Sequence, residues 1–472
     1  MKAIFRGFSD LCFVQYRAHR ARRLRARSFR VLALTRLVAS IVAQRFRDAA
    51  ARLFYSAGGR FLVVANPCLD WHLRLKQLQC ELDNNLLESY RGELVFHLAA
   101  AEFADGKIPV RALQEAMSAR KTKPLGGVLN SGGRWSTDRF TFPAAAAGKC
   151  DGCGATAMLH HEPERLCQTC VDDLELGKAL LLAPGQIALT PSPNGLLELL
   201  GARWGISSTG EIPIPLISHM PLQGHEPATF EQLAARAAGR RYLAYLRIDA
   251  DKIGETFRNL GGDASRTWGL STLLDHAFSS AVSKLMAEKF PDLYPVYGGG
   301  DDLFVIGPWN RALDFAAAWH SEFRSITDNK LTFSAGMALA KARQHILTKA
   351  EEANYLLEEC AKVPRDSIHV LGETIRWAAF DEALVAARQL ADMYAKQRIR
   401  SALLEDILKL HERWRKGDER WHSLLFYQIE RNLGGEEMSF IRRAFLSPGN
   451  LWKHAGFVVR YVMLHGPEER KD

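Results

Sequence analysis

Apolar positions along the chain form two kinds of run: short continuous or alternating stretches that suit strands, and longer ones with helical spacing. The first long run, Val31 to Val42, follows the arginine-dense segment YRAHRARRLRARSFR (Tyr16 to Arg30), and it suits a helix packed on a sheet. Next, Leu53 to Tyr55 and Phe61 to Ala65 read as strands around Ser56-Ala57-Gly58-Gly59, whose glycines permit the positive φ of a tight hairpin. The period predicts a helix over Leu73 to Glu102 and another over Lys107 to Lys123, closed by the turn Lys121-Thr122-Lys123-Pro124. A linker of small residues, Ala144 to Gly148, leads into a cysteine cluster.

From Arg241 the pattern sharpens. YLAYLRIDADKIG is an apolar strand running into acidic residues, Ser265 to Lys289 a long helix, and YPVYGGGDDLFVIGPW a hairpin with three glycines at its tip. A helix over Asn310 to Ser325, the strand LTFSAGMALA, a helix over Ile346 to Lys362 and the strand SIHVLG follow. This order, βαββαβ, predicts a ferredoxin-like α+β sheet with helices on one face. The tail from Trp377 to Asp472 reads as helical, with breakers at Gly434-Gly435 and Ser447-Pro448-Gly449. The two Gly-Gly hairpins suggest that one sheet architecture occurs twice.

Composition adds bounds. The 472 residues allow two to four domains, and 47% apolar with 24% charged residues is the profile of a folded chain. The net charge of +9 favours a polyanionic partner or serves solubility alone. No apolar leader opens the chain, and Val31 to Val42 is broken by Arg36 well short of the ~18 residues of a membrane span. A cytoplasmic protein without a membrane anchor is therefore expected.

Candidate chemistry lies in two places. Asp249 and Asp251 end a strand, while Asp301 and Asp302 sit on a hairpin tip; in a βαββαβ sheet these strands are neighbours, so the acidic pairs should converge. Gathered carboxylates need a cation, and hard oxygen ligands suit Mg²⁺ or Mn²⁺, two of which can activate a hydroxyl and stabilise a leaving pyrophosphate. Gly298, Gly299 and Gly300 would let backbone amides approach phosphates. The plainer reading, an ordinary Gly-Asp turn, is disfavoured by two acidic pairs at matching topological positions.

Cys150-x-x-Cys153 and Cys167-x-x-Cys170, thirteen residues apart, can meet at one structural tetrahedral Zn²⁺, with His160 and His161 as competing ligands in the loop. Cys12, Cys68, Cys80 and Cys360 read as core residues, as do Trp414, Trp421, Phe426 and Tyr427 at helical spacing in the tail. For the arginine run Arg17, Arg20, Arg22, Arg23, Arg25, Arg27 and Arg30, two readings stay open: a solvated or acid-paired face, and contact with phosphates or a neighbouring subunit.

Asp249-Ala250-Asp251 with Gly254, Gly299-Gly300-Asp301-Asp302, Ser334-Ala335-Gly336 and Ala361-Lys362 together resemble the palm of nucleotidyl cyclases and polymerases. With Ser56-Ala57-Gly58-Gly59 ahead and the cysteine cluster between, the chain is similar to the two-palm large subunit of type III CRISPR effector complexes. The resemblance implies a palm without acidic hairpin over 1–110, a zinc-binding α/β insert over 111–238, a catalytic palm over 239–376 and a helical domain over 377–472. It further implies synthesis of cyclic oligoadenylates from ATP, switched on by target RNA. Partners would be other subunits of the ribonucleoprotein, with guide and target RNA held largely through them. Asp249 and Asp301 would be metal ligands, assisted by Asp302 and the Ala250 carbonyl. Lys362 would approach the triphosphate, Gly254 and Gly298 to Gly300 would lie along the nucleotide, and Ser56, Gly58 and Gly59 would hold the second one. No His-Asp dipeptide occurs, so the family's single-stranded DNase is not expected. The alternatives are a stand-alone diguanylate or adenylate cyclase and a silent RNA-binding scaffold.

Overall fold

Two sheets with the same strand order organise the chain, seen in a computed structural model that describes residues 2–6, 20–46, 52–57, 59–66, 70–92, 94–102, 107–130, 138, 140, 149–152, 159–161, 164–182, 187–214, 216–224, 226–447 and 451–466. The first sheet contains β1 (Lys2–Arg6), β2 (Arg52–Ala57), β3 (Arg60–Val64) and β4 (Val95–Ala99), with α1 (Arg20–Arg45) after β1 and α2 (Trp71–Tyr90) after β3. Its order is β2-β3-β1-β4, antiparallel throughout. In the second sheet β13 (Tyr242–Ala250), β14 (Tyr294–Gly299), β15 (Asp302–Pro308) and β16 (Phe333–Lys341) repeat that order, and β17 (Ser367–Val370) and β18 (Glu373–Arg376) extend it beyond β16.

The expected helix over Leu73 to Glu102 is corrected. It ends at Tyr90, where Arg91 and Gly92 take positive φ, and Val95–Ala99 forms an edge strand with all five residues buried. A strand apolar on both faces carries no alternation to separate it from a helix.

The expectation of helices on one face of the second sheet is also corrected, because both faces are covered. Ala244, Leu246 and Ile248 pack with Phe278, Trp309 and Trp319 on one side; Leu243 and Tyr245 pack with Phe230, Leu233, Ala350 and Ala353 on the other. The tail helices α12 (Trp377–Ala395), α13 (Ser401–Arg415), α14 (Trp421–Asn432), α15 (Gly435–Phe445) and α16 (Ala455–His465) continue the first of these cores. Trp377 joins sheet and tail, its indole N–H donating to the Phe333 carbonyl at 2.8 Å.

Between the two sheets in sequence lie β5 (Leu159–His161), β6 (Glu164–Leu166), α5 (Gln168–Leu182) and the small sheet β7 (Ile187–Pro191), β8 (Leu197–Leu199), β9 (Ala202–Ser207) and β10 (Ile212–Ile214). α1 is the shared partner: Leu34, Leu37, Val38 and Val42 pack in one core with Phe61 and Phe96 of the first sheet and with Leu189, Leu197 and Trp204 of the small one.

The described arginines of α1 are therefore internal and not a solvated face, and the acid pairing expected of them is met by Asp173 and Glu226 of the chain itself. Arg23, Arg25, Arg27 and Arg30 are 0, 3, 2 and 4% exposed. Arg27 Nε lies 2.7 Å from Asp173 Oδ2 and Arg30 Nη2 lies 2.9 Å from Asp173 Oδ1, while Arg25 donates to the His219 carbonyl at 3.0 Å and the Ile217 carbonyl at 3.3 Å. Arg22 pairs with Glu226 at the rim, and Arg17 lies outside the described residues. A guanidinium so enclosed needs a charge or carbonyls within the fold: Arg25 has carbonyls, Arg27 the charge of Asp173, and Arg30 that charge with the Leu196 carbonyl.

In the tail Trp414 and Trp421 join the core as expected, Trp421 stacking on Trp452 at 4.3 Å, but Phe426 and Tyr427 are exposed on the outer face of α14. Cys80 and Cys360 are half-buried, and Cys12 and Cys68 lie outside the described residues. Among the described residues no helix is long and apolar enough to cross a membrane.

Candidate active site and cysteine centre

Pairing register gathers the acidic residues. Asp249 is the partner of Asp302 across β13 and β15, and Gly299 pairs with Asp302 across the hairpin, leaving Gly300 and Asp301 as a two-residue turn. Gly300 has φ 68°, which glycine adopts without a Cβ clash. The Ala250 N–H donates to the Asp301 carbonyl at 2.9 Å and pins the turn to the end of β13. Carboxylate oxygens of Asp249, Asp301 and Asp302 thus lie within 4.8 Å of one another.

Burial, then mutual repulsion, raises all three carboxyls; Asp249 is pushed up to about 7 by burial and by Asp302 despite Lys362. Lys362 Nζ sits 2.6 Å from Asp249 Oδ2 and 2.7 Å from Glu358 Oε1. One ammonium shared with a fourth carboxylate leaves the trio under-neutralised, and its donor set of hard oxygens fits divalent Mg²⁺ or Mn²⁺. Arg247, at 5.6 Å over the Tyr297 and Phe304 rings and bonded to the Tyr297 hydroxyl, adds positive charge behind Asp302.

The expected convergence of four carboxylates is corrected to three. Asp251 is 6% exposed, and its oxygens accept from Ser334 Oγ at 2.7 Å, Thr332 Oγ1 at 2.9 Å and the Asp366 N–H at 3.0 Å. It ties the end of β13 to β16 and to the approach of β17. Alternation explains the split: Asp249 and Asp251 share a sheet face only while the strand continues, and β13 ends at Ala250. The Ser-Ala-Gly motif follows from the same packing: Ser334 serves Asp251, and a Cβ at Gly336 would stand 2.4 Å from the Ala353 carbonyl oxygen.

The glycines have separate reasons. Gly299 and Gly300 take positive φ in the turn, but a Cβ at Gly298 would meet Ile217 at 2.4 Å and the Phe278 carbonyl oxygen at 2.5 Å, so Gly298 serves packing and not the approach of a phosphate. A cavity of about 270 Å³ beside Asp301 is walled by Arg60 and Leu62 of the first sheet, by Ile108 and Leu113, and by Ile253, Gly254, Phe257, Arg258 and Leu274 of the two helices that follow β13, Ile253–Asn259 and Ala264–His276. Gly254 faces open space there, its nearest neighbour for a Cβ being Arg258 Nη1 at 3.7 Å. Ser56 is 3% exposed and offers its carbonyl to Arg36 Nη2 at 3.4 Å; Arg60 and Leu62, not Ser56, supply the first sheet's part of the wall. Gly59 has φ 71° beside that turn, and Gly58 lies outside the described residues.

Sequence reasoning missed Arg60, Arg258 and Arg247. Arg60 follows the first Gly-Gly turn directly and was within reach of a motif argument; the others carry no local signal.

At the cysteine centre the sulfurs of Cys150, Cys167 and Cys170 also lie within 4.8 Å of one another, all three residues buried. Cys153 lies outside the described residues, as do the side chains of His160 and His161. Backbone N–H groups of Cys167 and Gly152 donate to Cys150 Sγ at 3.1 and 3.4 Å, and Arg27 Nη2 donates to Cys170 Sγ at 3.4 Å. Donors aimed at sulfur stabilise thiolates, which suits a soft, borderline cation such as Zn²⁺.

Comparison with known proteins agrees with the fold. Residues 242–369 match the family profile described as Cas10/Cmr2, second palm domain, and residues 15–123 match Csm1 subunit domain B. A CRISPR system single-strand-specific deoxyribonuclease Cas10/Csm1 (subtype III-A) of Thermococcus onnurineus is 24% identical, covering 91% of this chain and 64% of that protein. A Mycobacterium tuberculosis protein of the same name is 23% identical, covering 88% and 59%. The chain therefore spans less than two thirds of the length of these relatives. Among solved structures, the apo Csm1-Csm4 cassette has a TM-score of 0.76 at 18% identity, and the cassette with one ATP 0.75 at 19%, each covering 98% of this chain and 69% of the other. The cassette in complex with cA4 scores 0.72 at 18% identity over the same shares. The two profile matches fall on the two sheet regions, and along most of its length the chain is similar to the Cas10/Csm1 large subunits of type III CRISPR systems.

Proposed function

We propose that the chain is the ATP-polymerising subunit of an RNA-guided effector complex, which converts ATP to cyclic oligoadenylates when the complex captures target RNA. One observation carries the reading: three under-neutralised carboxylates gather at a hairpin whose Asp301 lines a cavity, and Arg60 and Leu62 of the first sheet wall the same cavity. Structures of related cassettes with ATP, AMPPNP, cA3 and cA4 support it. In this reading the first sheet, within 1–110, is a palm without acidic hairpin, the zinc-binding insert spans 111–238, the catalytic palm 239–376 and the helical domain 377–472. Other subunits are the partners, guide and target RNA being held largely through them, and the complex works in the cytoplasm.

Asp249 and Asp301, with Asp302 and the Ala250 carbonyl, would hold two Mg²⁺ or Mn²⁺ ions. When bound, these lower the pKa of an attacking ribose hydroxyl and offset charge on the leaving pyrophosphate. The chain's own groups do the rest. Arg60 and Arg258 would bring positive charge to phosphates in the cavity, and Lys362, already at the carboxylates, would approach the triphosphate. Gly254 and Gly299 leave backbone open to phosphate oxygens, and Gly300, whose N–H is held by Asp275, lines the cavity, while Leu62, Ile108 and Phe257 exclude water from a base. Ser56, Gly58 and Gly59 belong to the half that holds the second nucleotide, the one offering its hydroxyl. A stand-alone cyclase needs a second copy for that half, which here the chain supplies itself. No residue of the chain is assigned the nuclease activity named for the relatives.

The test supplies the purified complex with labelled ATP, Mn²⁺ or Mg²⁺, and matched or mismatched target RNA, and identifies products by mass. Cyclic oligoadenylate with matched RNA only is expected; cyclic dinucleotide formed without RNA would favour the stand-alone cyclase.

The cysteine centre would hold one structural Zn²⁺ through Cys150, Cys153, Cys167 and Cys170. Metal analysis after exhaustive dialysis should give one zinc per chain, and Cys170→Ser should lose it together with thermal stability. A folded wild-type chain without zinc would discard the assignment.

A further inference from the structure

The acidic hairpin is fixed at its tip by a residue of neither acidic pair. Asp275, near the end of the helix Ala264–His276, accepts the Gly300 N–H with its carboxylate, and a Cβ at Gly299 would stand 3.8 Å from its Oδ1. The next residues, Ala277–Ala281, form a π-turn, an insertion that shifts the helix register and recurs at functional sites. Asp275 has a cation of its own: Arg36 Nη2 lies 3.7 Å from Asp275 Oδ2. The same nitrogen donates to the Ser56 carbonyl at 3.4 Å, on the hairpin strand of the first sheet. Ser56 O, Arg36, Asp275 and Gly300 N–H thus form one continuous polar path between the two Gly-Gly hairpins. A second hold comes from the same helix: Arg25 caps the carbonyls of Ile217, Ser218 and His219, and Ile217 packs where Gly298 has no side chain. α1 grips the acidic hairpin at Gly298 through apolar contact and at Gly300 through charge.

We propose that Asp275 and Arg36 are positioning residues of the nucleotidyl-transfer site, which set the Asp301 and Asp302 carboxylates for divalent-cation binding and tie that setting to the first sheet's hairpin. The inference rests on the functional reading above for its consequence in turnover, and on geometry alone for its consequence in cation binding. Asp275 and Arg36 lie outside the carboxylate trio and outside the cavity lining. Their action goes through Gly300, one residue from Asp301, where a displacement of ~1 Å costs on the order of 10²-fold in rate.

The test measures Mn²⁺ binding to the full chain by the electron paramagnetic resonance signal of free Mn²⁺, alongside kcat and KM for ATP in the complex. Asp275→Ala removes the acceptor for Gly300: Mn²⁺ affinity should fall about tenfold and kcat by ~10–100-fold, with KM for ATP changed less than ~3-fold. Asp275→Asn keeps an acceptor oxygen and should recover most of the Mn²⁺ affinity. Arg36→Met cuts the path between Ser56 and Asp275 and should weaken Mn²⁺ binding about 3–10-fold in a chain that still folds, because α1 keeps its apolar packing. Wild-type Mn²⁺ affinity in both Asp275→Ala and Arg36→Met, even with a lowered melting temperature, would overturn the proposal, as would equal losses in Asp275→Asn and Asp275→Ala. If the wild-type complex makes no cyclic product, the functional reading fails while the Mn²⁺ comparison still decides the positioning role.

Discussion

Replacing Asp301 and Asp302 together by asparagine should reduce ATP turnover by at least ~10³-fold, a barrier increase of about 4 kcal/mol, while the complex still assembles. The amides keep the size and hydrogen-bonding edge of the side chains, so the two-residue turn and its bond from the Ala250 N–H survive. What goes is the charge that draws the cations. The same substitution should move stability the other way. All three carboxyls of the trio are raised by burial and mutual repulsion, so the metal-free fold is paying for their ionisation at neutral pH. The double variant, stripped of metal by chelator, should melt above the metal-free wild type. Activity read as product mass and stability read by calorimetry must diverge. Undiminished product would sink the metal assignment, and a lower melting temperature would sink the electrostatic account.

The second large effect is expected far from the chemistry. Asp173 is fully buried and faces Arg27 and Arg30 together. Burial works against the Arg30 cation, but Asp173 and Tyr90 together more than offset it and hold the Arg30 guanidinium above its ordinary pKa. Asp173→Asn leaves two enclosed guanidiniums without a counter-charge, which should cost about 3–5 kcal/mol, read as a shift in the urea midpoint or as loss of soluble chain. Converting all three at once, Arg27→Met, Arg30→Met and Asp173→Leu, should recover most of that loss, because apolar residues of similar volume commonly replace a buried ionic cluster without penalty. A midpoint within ~0.5 kcal/mol of wild type for Asp173→Asn would show that the arginines find carbonyl or water partners of their own.

The parts of the site that were legible in the sequence are those written locally. A hairpin states its register through its turn, so Gly299-Gly300-Asp301-Asp302 and the strand ending at Asp249 could be placed beside each other from strand order alone. The cysteine spacing announced its centre for the same reason. What could not be read depends on partners far along the chain. Nothing near Arg27 or Arg30 indicates Asp173, more than 140 positions away, so an internal ionic cluster looked like a basic surface. Asp249 and Asp251 look alike in sequence, and only Ser334 and Thr332, brought in by β16, draw the second away from the first. Gly298 and Gly300 sit two apart in one motif, yet one clears space for Ile217 and Phe278 while the other turns the chain. Val95–Ala99, buried along its whole length, could not be told from the helix before it.

The burial of α1 also has a consequence for synthesis on the ribosome. Its partners Asp173 and the Ile217 carbonyl are made 143 and 192 positions after the arginines they hold. At the usual elongation rates of ~5–20 residues per second, the helix waits on the order of 10–40 s before its charges can be enclosed. During that interval the nascent chain carries a naked polycation beside the ribosome's own RNA, so slowing translation between residues 30 and 217 should lengthen its exposure to chaperones and raise the fraction that aggregates.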